Sequence, residues 1–160
     1  RTIMLAESAT IFEEFTDTGK ARFLTAPEDR YGPYARTSIL AKDYLKSIRL
    51  RDEISQIIDP ILSKYDALCG PTRGNPASPI EDEFRGAIRG NAKDTLGALG
   101  NAAGLPAISV PNGFTQAGLP TGIQFVGRAY AENNILTLAN HFQNKTEWHL
   151  KHPAELFDEI

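Results

Sequence analysis

The chain has 160 residues, 41% of them hydrophobic and 23% charged, a globular composition for one domain that excludes a disordered polymer. Seventeen Lys and Arg against twenty Asp and Glu leave a net charge of −3, so no basic surplus points to direct nucleic-acid binding and no polybasic block points to a membrane surface. A single cysteine, Cys69, excludes an internal disulfide framework and a cysteine-rich zinc site, and no apolar run is long enough to span a bilayer, which together predict a cytoplasmic protein.

The sequence opens Arg1-Thr2-Ile3-Met4, without an initiator methionine and as if inside a helix, which predicts a processed chain or a portion of a longer one. Met4, Ile11, Phe12 and Phe15 recur near helical spacing and predict one amphipathic helix over Thr2–Phe15, closed by Gly19. Residues 19–37 carry Gly19, Pro27, Gly32 and Pro33 and read as a connection. From Asp43 to Tyr65, Leu45, Ile48, Ile54, Ile57, Ile58, Ile61, Leu62 and Tyr65 mark the buried stripe of a long helix. Pro60 lacks a donor N–H and clashes with the preceding turn, so a kink or restart is expected at Asp59-Pro60.

Asp66 to Pro71 is a short apolar run ended by Gly-Pro and reads as a buried strand, with Cys69 an inert small hydrophobe within it. Gly70 to Pro79, steered by Pro71, Gly74, Pro76 and Pro79, reads as an ordered surface loop. Asn91 to Ala103 predicts a helix capped by Asn91 and stopped by Gly104 and Pro106. Its glycines and alanines make it thin, which suits close packing against another backbone. Residues 107–111 and 121–126 are strand-like, with turn chemistry at Asn112-Gly113 and Gly118-Leu119-Pro120. Ala131 to Asn144 predicts a last helix, with Ala131, Ile135, Leu138, Ala139 and Phe142 on one face. Helices alternating with short strands predict an α/β fold, a mixed sheet covered by helices.

Chemistry is scarce. None of the seven serines lies in a G-x-S-x-G elbow or an S-x-x-K motif, and no phosphate loop or dinucleotide fingerprint is present. His149 and His152 have no evident third ligand and read as a polar turn, His141 as helix surface, and Trp148 as an anchor packed on the body. Asn144-Lys145-Thr146 matches a glycosylation sequon by chance.

Two linked segments carry more information. Asn101-Ala102-Ala103-Gly104-Leu105-Pro106-Ala107-Ile108-Ser109-Val110-Pro111-Asn112-Gly113 is followed by Gly118-Leu119-Pro120-Thr121-Gly122-Ile123-Gln124-Phe125-Val126-Gly127-Arg128. They resemble the amidase signature family, in which N-x-A-G-x-P-A-I-S-V-P-x-G precedes G-L-P-x-G-x-Q-x-x-G-R. Asp66 to Thr72, Pro76 to Ile80, and Thr146-Glu147-Trp148-His149 with Pro153 resemble the flanking segments of that family. The likeness is specific from Lys64 to Pro153 and looser before it. Arg73-Gly74-Asn75 departs from the Thr/Pro-rich run usual there, Cys69 from an aliphatic residue or Thr, and Asn112 from Cys or a small residue.

The resemblance implies the carboxy-terminal portion, residues 1–160, of one larger amidase signature domain, incomplete without upstream sequence. It implies a hydrolase that cleaves a carboxamide C–N bond through a serine acyl-enzyme, with the nucleophilic serine, a bridging serine and a lysine all upstream. No catalytic residue maps onto this chain, and no metal or organic cofactor is implied. The expected partners are a small-molecule amide substrate and the upstream part of the same protein, and a homo-oligomer is compatible. Two residues carry over as substrate-binding candidates by likeness to the glutamine-dependent members: Asp94, seven residues before Asn101, and Arg36, ahead of the long basic helix. By their own chemistry they also fit simpler roles, Asp94 in a capping pattern with Asn91 and Arg36 as a solvated charge. Alternative readings are the glutamine-hydrolysing subunit of a tRNA-dependent amidotransferase and a non-catalytic structural or binding half.

Overall fold

A computed structural model of the chain describes residues 1–25, 38–79 and 95–152. It divides into two units, Arg1–Glu53 and Ile54–Ile160, whose boundary falls inside a long helix.

In the first unit, α1 (Thr2–Ile11) and α2 (Glu13–Asp17) replace the single expected helix. The break is Phe12, at φ −102° and ψ 19°. It follows Thr10, whose hydroxyl bonds back to the Glu7 carbonyl at 2.8 Å, a contact that bends helices. The expected buried stripe is absent from α1: none of its residues is buried, and Met4, Ile11 and Phe12 are exposed. Gly19 does close the pair, and a single 3-10 turn follows over Lys20–Phe23, with Ala21 buried.

The long helix α3 (Ala41–Leu62) runs through Pro60 without a restart, correcting the expectation at Asp59-Pro60. Pro60 lies in its last turn, so the ring disturbs only the final hydrogen bonds. Of the predicted stripe only Ile58 and Leu62, four residues apart on one face, are buried, whereas Leu45, Ile57, Ile61 and Tyr65 are exposed.

The second unit is built on a sheet in the order β1 (Leu68–Pro71), β3 (Pro120–Val126), β2 (Ala107–Phe114), antiparallel in both pairs. The α/β class holds. Register sets two faces. Val110 opposes Ile123 and Ile108 opposes Phe125, so these four share one face. Helix α5 (Glu132–Thr146) covers it, burying Ile135 and Ala139 against Val110 and Phe125, with Phe142 edge-on to Phe125 at 6.0 Å. On the other face lies α4, described over Thr95–Ala103; the expected cap Asn91 is outside the described residues. The thin side of α4 admits side chains rather than backbone. A Cβ on Gly100 would stand 3.4 Å from Val126, and Leu96 in turn fills the space above Gly70 at 3.4 Å. The helix ends at Gly104, φ +67°, with the Leu105 N–H donating to the Gly100 carbonyl at 2.9 Å, the six-to-one bond of a Schellman cap.

Two strand expectations need correction. Asn112-Gly113 is not the hairpin turn: β2 continues to Phe114, and the register shifts between Pro111 and Gly113, leaving Asn112 as a bulge. The turn is Thr115–Leu119, closed by Thr115 N–H to Leu119 O at 2.8 Å and Gly118 N–H to Thr115 O at 2.9 Å, with Gly118 at φ +79°. Cys69 is exposed, not buried. Among the described residues β1 pairs with β3 alone, and α5 packs over β2 and β3, which leaves the Cys69 side of β1 without a covering element. Trp148 does anchor on the body, edge-on to Phe114 at 6.2 Å.

A bidentate ion pair ties the end of α3 to the residue after Gly127: Arg128 Nε to Asp59 Oδ1 at 2.7 Å and Nη2 to Oδ2 at 2.9 Å, both side chains half exposed. The hydrogen bond from Arg128 holds the Asp59 carboxyl below its ordinary range; desolvation opposes this and the Arg128 charge adds to it. A carboxyl lowered in the folded state stabilises above its ordinary range, and the contribution is lost as pH falls through that range toward the folded value. Urea midpoints of wild type and Asp59→Asn should therefore differ at neutral pH and converge in acid. At the core, Ile135→Ala should cost about 2–5 kcal/mol in urea unfolding. A Cβ on Gly127 would meet Ile135 Cγ2 at 2.7 Å, so Gly127→Ala should destabilise wild type clearly and the Ile135→Ala background much less.

Candidate functional site

Strand β3 places Gly122 between two side chains from its neighbours. Thr72 leaves β1 and extends the ladder by one step, its N–H donating to the Gly122 carbonyl at 2.8 Å. Ser109 stands on β2, on the same face. The Thr72 and Ser109 hydroxyls bond to each other at 2.5 Å, directly over Gly122. A Cβ there would stand 2.8 Å from Thr72 Oγ1 and 3.2 Å from Ser109 Oγ, so only glycine lets the pair close. Gln124, two residues on and buried, donates from Nε2 to the Pro71 carbonyl at 2.9 Å, which fixes where the following loop departs. The bulged Asn112 accepts a hydrogen bond from Thr121 Oγ1 at 2.8 Å.

Thr72, Ser109, Thr121 and Gly122 form one side of an open groove of about 540 Å³, continued by Arg73, Asn75 and Pro76 of the loop and by Pro111, Thr115 and Pro120 of the hairpin. Among the described residues the lining offers hydroxyls, an amide and one cation, with no carboxylate, thiol or imidazole. These can hold a polar molecule by hydrogen bonds, and they include no pair of groups suited to proton transfer. A second hollow, of about 500 Å³, lies within the first unit among Glu7, Glu13, Thr16, Asp17, Ile39 and Tyr44. Among the described residues no three His, Cys, Asp or Glu side chains group to hold a metal ion, and no helix is long and apolar enough to cross a membrane.

Asp94 and Arg36, the two substrate-binding candidates, lie outside the described residues. Sequence reasoning does not find the Thr72–Ser109 pair over Gly122, although all three residues lie in the segments that carry the family resemblance. Their alternation is legible; the pairing of Thr72 with a residue 37 positions away needs the register. Gly122→Ala should push the hydroxyls apart and cost about 1–3 kcal/mol in thermal unfolding, and adding Thr72→Ala should relieve part of that loss.

The amidase family profile matches residues 5–136. The A-subunit of glutamyl-tRNA(Gln) amidotransferase from Methanosarcina mazei is 39% identical over 115 residues, which are 72% of this chain and 24% of that protein. Its counterpart from Treponema denticola is 32% identical over 81% of this chain and 30% of its own length. This chain thus spans about a quarter of the length of the curated relatives it matches. Among solved structures, an amidase superposes with a TM-score of 0.73 at 23% identity, covering 89% of this chain and 33% of that one, a likeness of fold. The amidotransferase A-subunit of Thermotoga maritima superposes with a TM-score of 0.55 at 32% identity, covering 64% of this chain and 22% of that one. With the family pattern running through the strands, the cap and the groove, this chain belongs to the amidase signature family.

Proposed function

We propose that the chain serves as the carboxy-terminal portion of a longer amidase domain that hydrolyses a carboxamide C–N bond, and that its groove forms one wall of the substrate cleft. The observation that carries this is the groove itself: Thr72, Ser109 to Pro111 and Pro120 to Gly122 in its walls all lie inside the family pattern, and the loop after Thr72 completes it. In this reading the chemistry is done by preceding sequence. A serine hydroxyl adds to the amide carbonyl carbon, its proton passing through a bridging serine to a lysine. The C–N bond breaks, the amine leaves protonated, and water hydrolyses the acyl-enzyme. This chain supplies binding and shape, with Asp94 and Arg36 as further contacts to substrate. The protein acts in the cytoplasm on a small amide, without nucleic acid or membrane at the groove.

A second reading is favoured by the 39% and 32% identities to the amidotransferase A-subunits: the amide is that of glutamine, and the ammonia released passes to a partner protein. Ammonia release separates the cases. The longer protein should release ammonia from simple carboxamides, whereas the 160-residue chain alone should release none; turnover by the chain alone, abolished by a substitution within it, overturns the proposal. Glutamine as the preferred substrate, with a rate that rises when the partner proteins of an amidotransferase join, selects the second reading. In that case Asp94→Asn should raise the KM for glutamine by about tenfold or more, as expected for a lost charge-assisted hydrogen bond.

A further inference from the structure

Eight asparagines occur in the chain, and only Asn112 precedes a glycine. That pairing is chemically labile. The asparagine amide carries its own leaving group, and the backbone nitrogen of the next residue is placed to close a small ring on it. Glycine has no Cβ to obstruct the closure. Cys or a small residue is usual here in the family pattern, so the asparagine is a feature of this chain.

The fold exposes this pair and restrains it. Asn112 is exposed and has no partner in the β2–β3 register, being the bulged residue between Pro111, opposite Gly122, and Gly113, opposite Thr121. Gly113 is buried at φ +137°, and the Trp148 ring packs 3.8 Å from where a Cβ would stand. One hydrogen bond fastens the reactive side chain: Thr121 Oγ1 donates to Asn112 Oδ1 at 2.8 Å. It ties the amide across to β3. Ring closure needs the amide carbon to turn back along its own strand to the Gly113 nitrogen, so this bond must open first.

We infer that Asn112 is a site of spontaneous deamidation through its own backbone, and that the Thr121 hydroxyl sets the rate. The Gly113 nitrogen loses its proton to solvent base and bonds to Asn112 Cγ. The Cγ–Nδ2 bond breaks, and ammonia leaves with a proton. Water then opens the cyclic imide at either carbonyl, giving aspartate on an unchanged backbone or a β-linked isoaspartate. The net change is asparagine plus water to acid plus ammonia. The aspartate puts a negative charge beside Pro111 and Thr121, both lining residues of the groove. The isoaspartate lengthens β2 by one backbone atom just before Gly113 and its contact with Trp148. None of this depends on which amide the longer protein cleaves.

Local opening precedes the chemistry, so the rate follows the fraction of time the amide is released. Loss of one hydrogen bond raises that fraction about fivefold. The test incubates the full-length protein at mildly alkaline pH, in buffer and in urea, and follows the tryptic peptide of residues 94–128 by mass spectrometry and isoaspartate assay. In buffer, Asn112 should become acid before any other asparagine, and in urea it should do so several times faster. Thr121→Val should speed the reaction in buffer about fivefold and leave the rate in urea unchanged. Thr121→Ser, which keeps the hydroxyl, should stay close to wild type, and Asn112→Ser should abolish the product. Equal rates at Asn112 in buffer and in urea, a rate in buffer indifferent to Thr121→Val, or acid formed first at another asparagine overturns the inference. If Thr121→Val does not fold, the wild-type comparison of buffer with urea decides the case.

Discussion

Strand β3 is bound on four sides, and the second unit depends on that confinement. It hydrogen-bonds to β1 on one edge and β2 on the other, with α5 against one face and α4 against the other. Phe125 therefore enters the α5 core while Val126, 1% exposed, fills the gap left by Gly100. Nothing large fits where β3 leaves the core, so the sequence there is Gly122 at one end and Gly127 at the other. Each glycine makes room for a specific neighbour, the hydroxyl pair in one case and Ile135 in the other. The groove is the place where this packing runs out and the loops begin.

Local order is largely legible in the residues. The last helix, the two longer strands and the Gly104 stop follow from periodicity and backbone chemistry close in sequence. The mismatches have a common origin in partners far along the chain. Asn112-Gly113 has the composition of a hairpin turn, but Thr121 holds Asn112 as a bulge and the turn forms after it. Cys69 has apolar neighbours, yet its burial depends on which strands α5 covers. Ile57 and Ile61 share the spacing of Ile58 and Leu62, and only tertiary contact distinguishes the buried pair from the exposed one.

The groove is less legible than the fold. The residues that build it are threonine, serine, glycine and glutamine, types with no chemical signature of their own. Their meaning comes from register: Gly122 brings Thr72 and Ser109 within bonding distance, and Gln124 pins the end of β1. The ion pair of Asp59 and Arg128 joins residues 69 positions apart, and no periodicity anticipates it.

The Trp148 anchor has a spectroscopic consequence. It is the sole tryptophan, so all indole emission from the chain originates at one spot. There the ring lies against Phe114 and Gly113, next to the Asn112 bulge, with the Lys151 ammonium 4.4 Å from its centre. Indole emission responds to the charge and solvent around the ring, so undocking Trp148 from Phe114 and Lys151 changes it. The chain thus carries a native optical probe of whether the turn Trp148–Leu150 is docked on the hairpin.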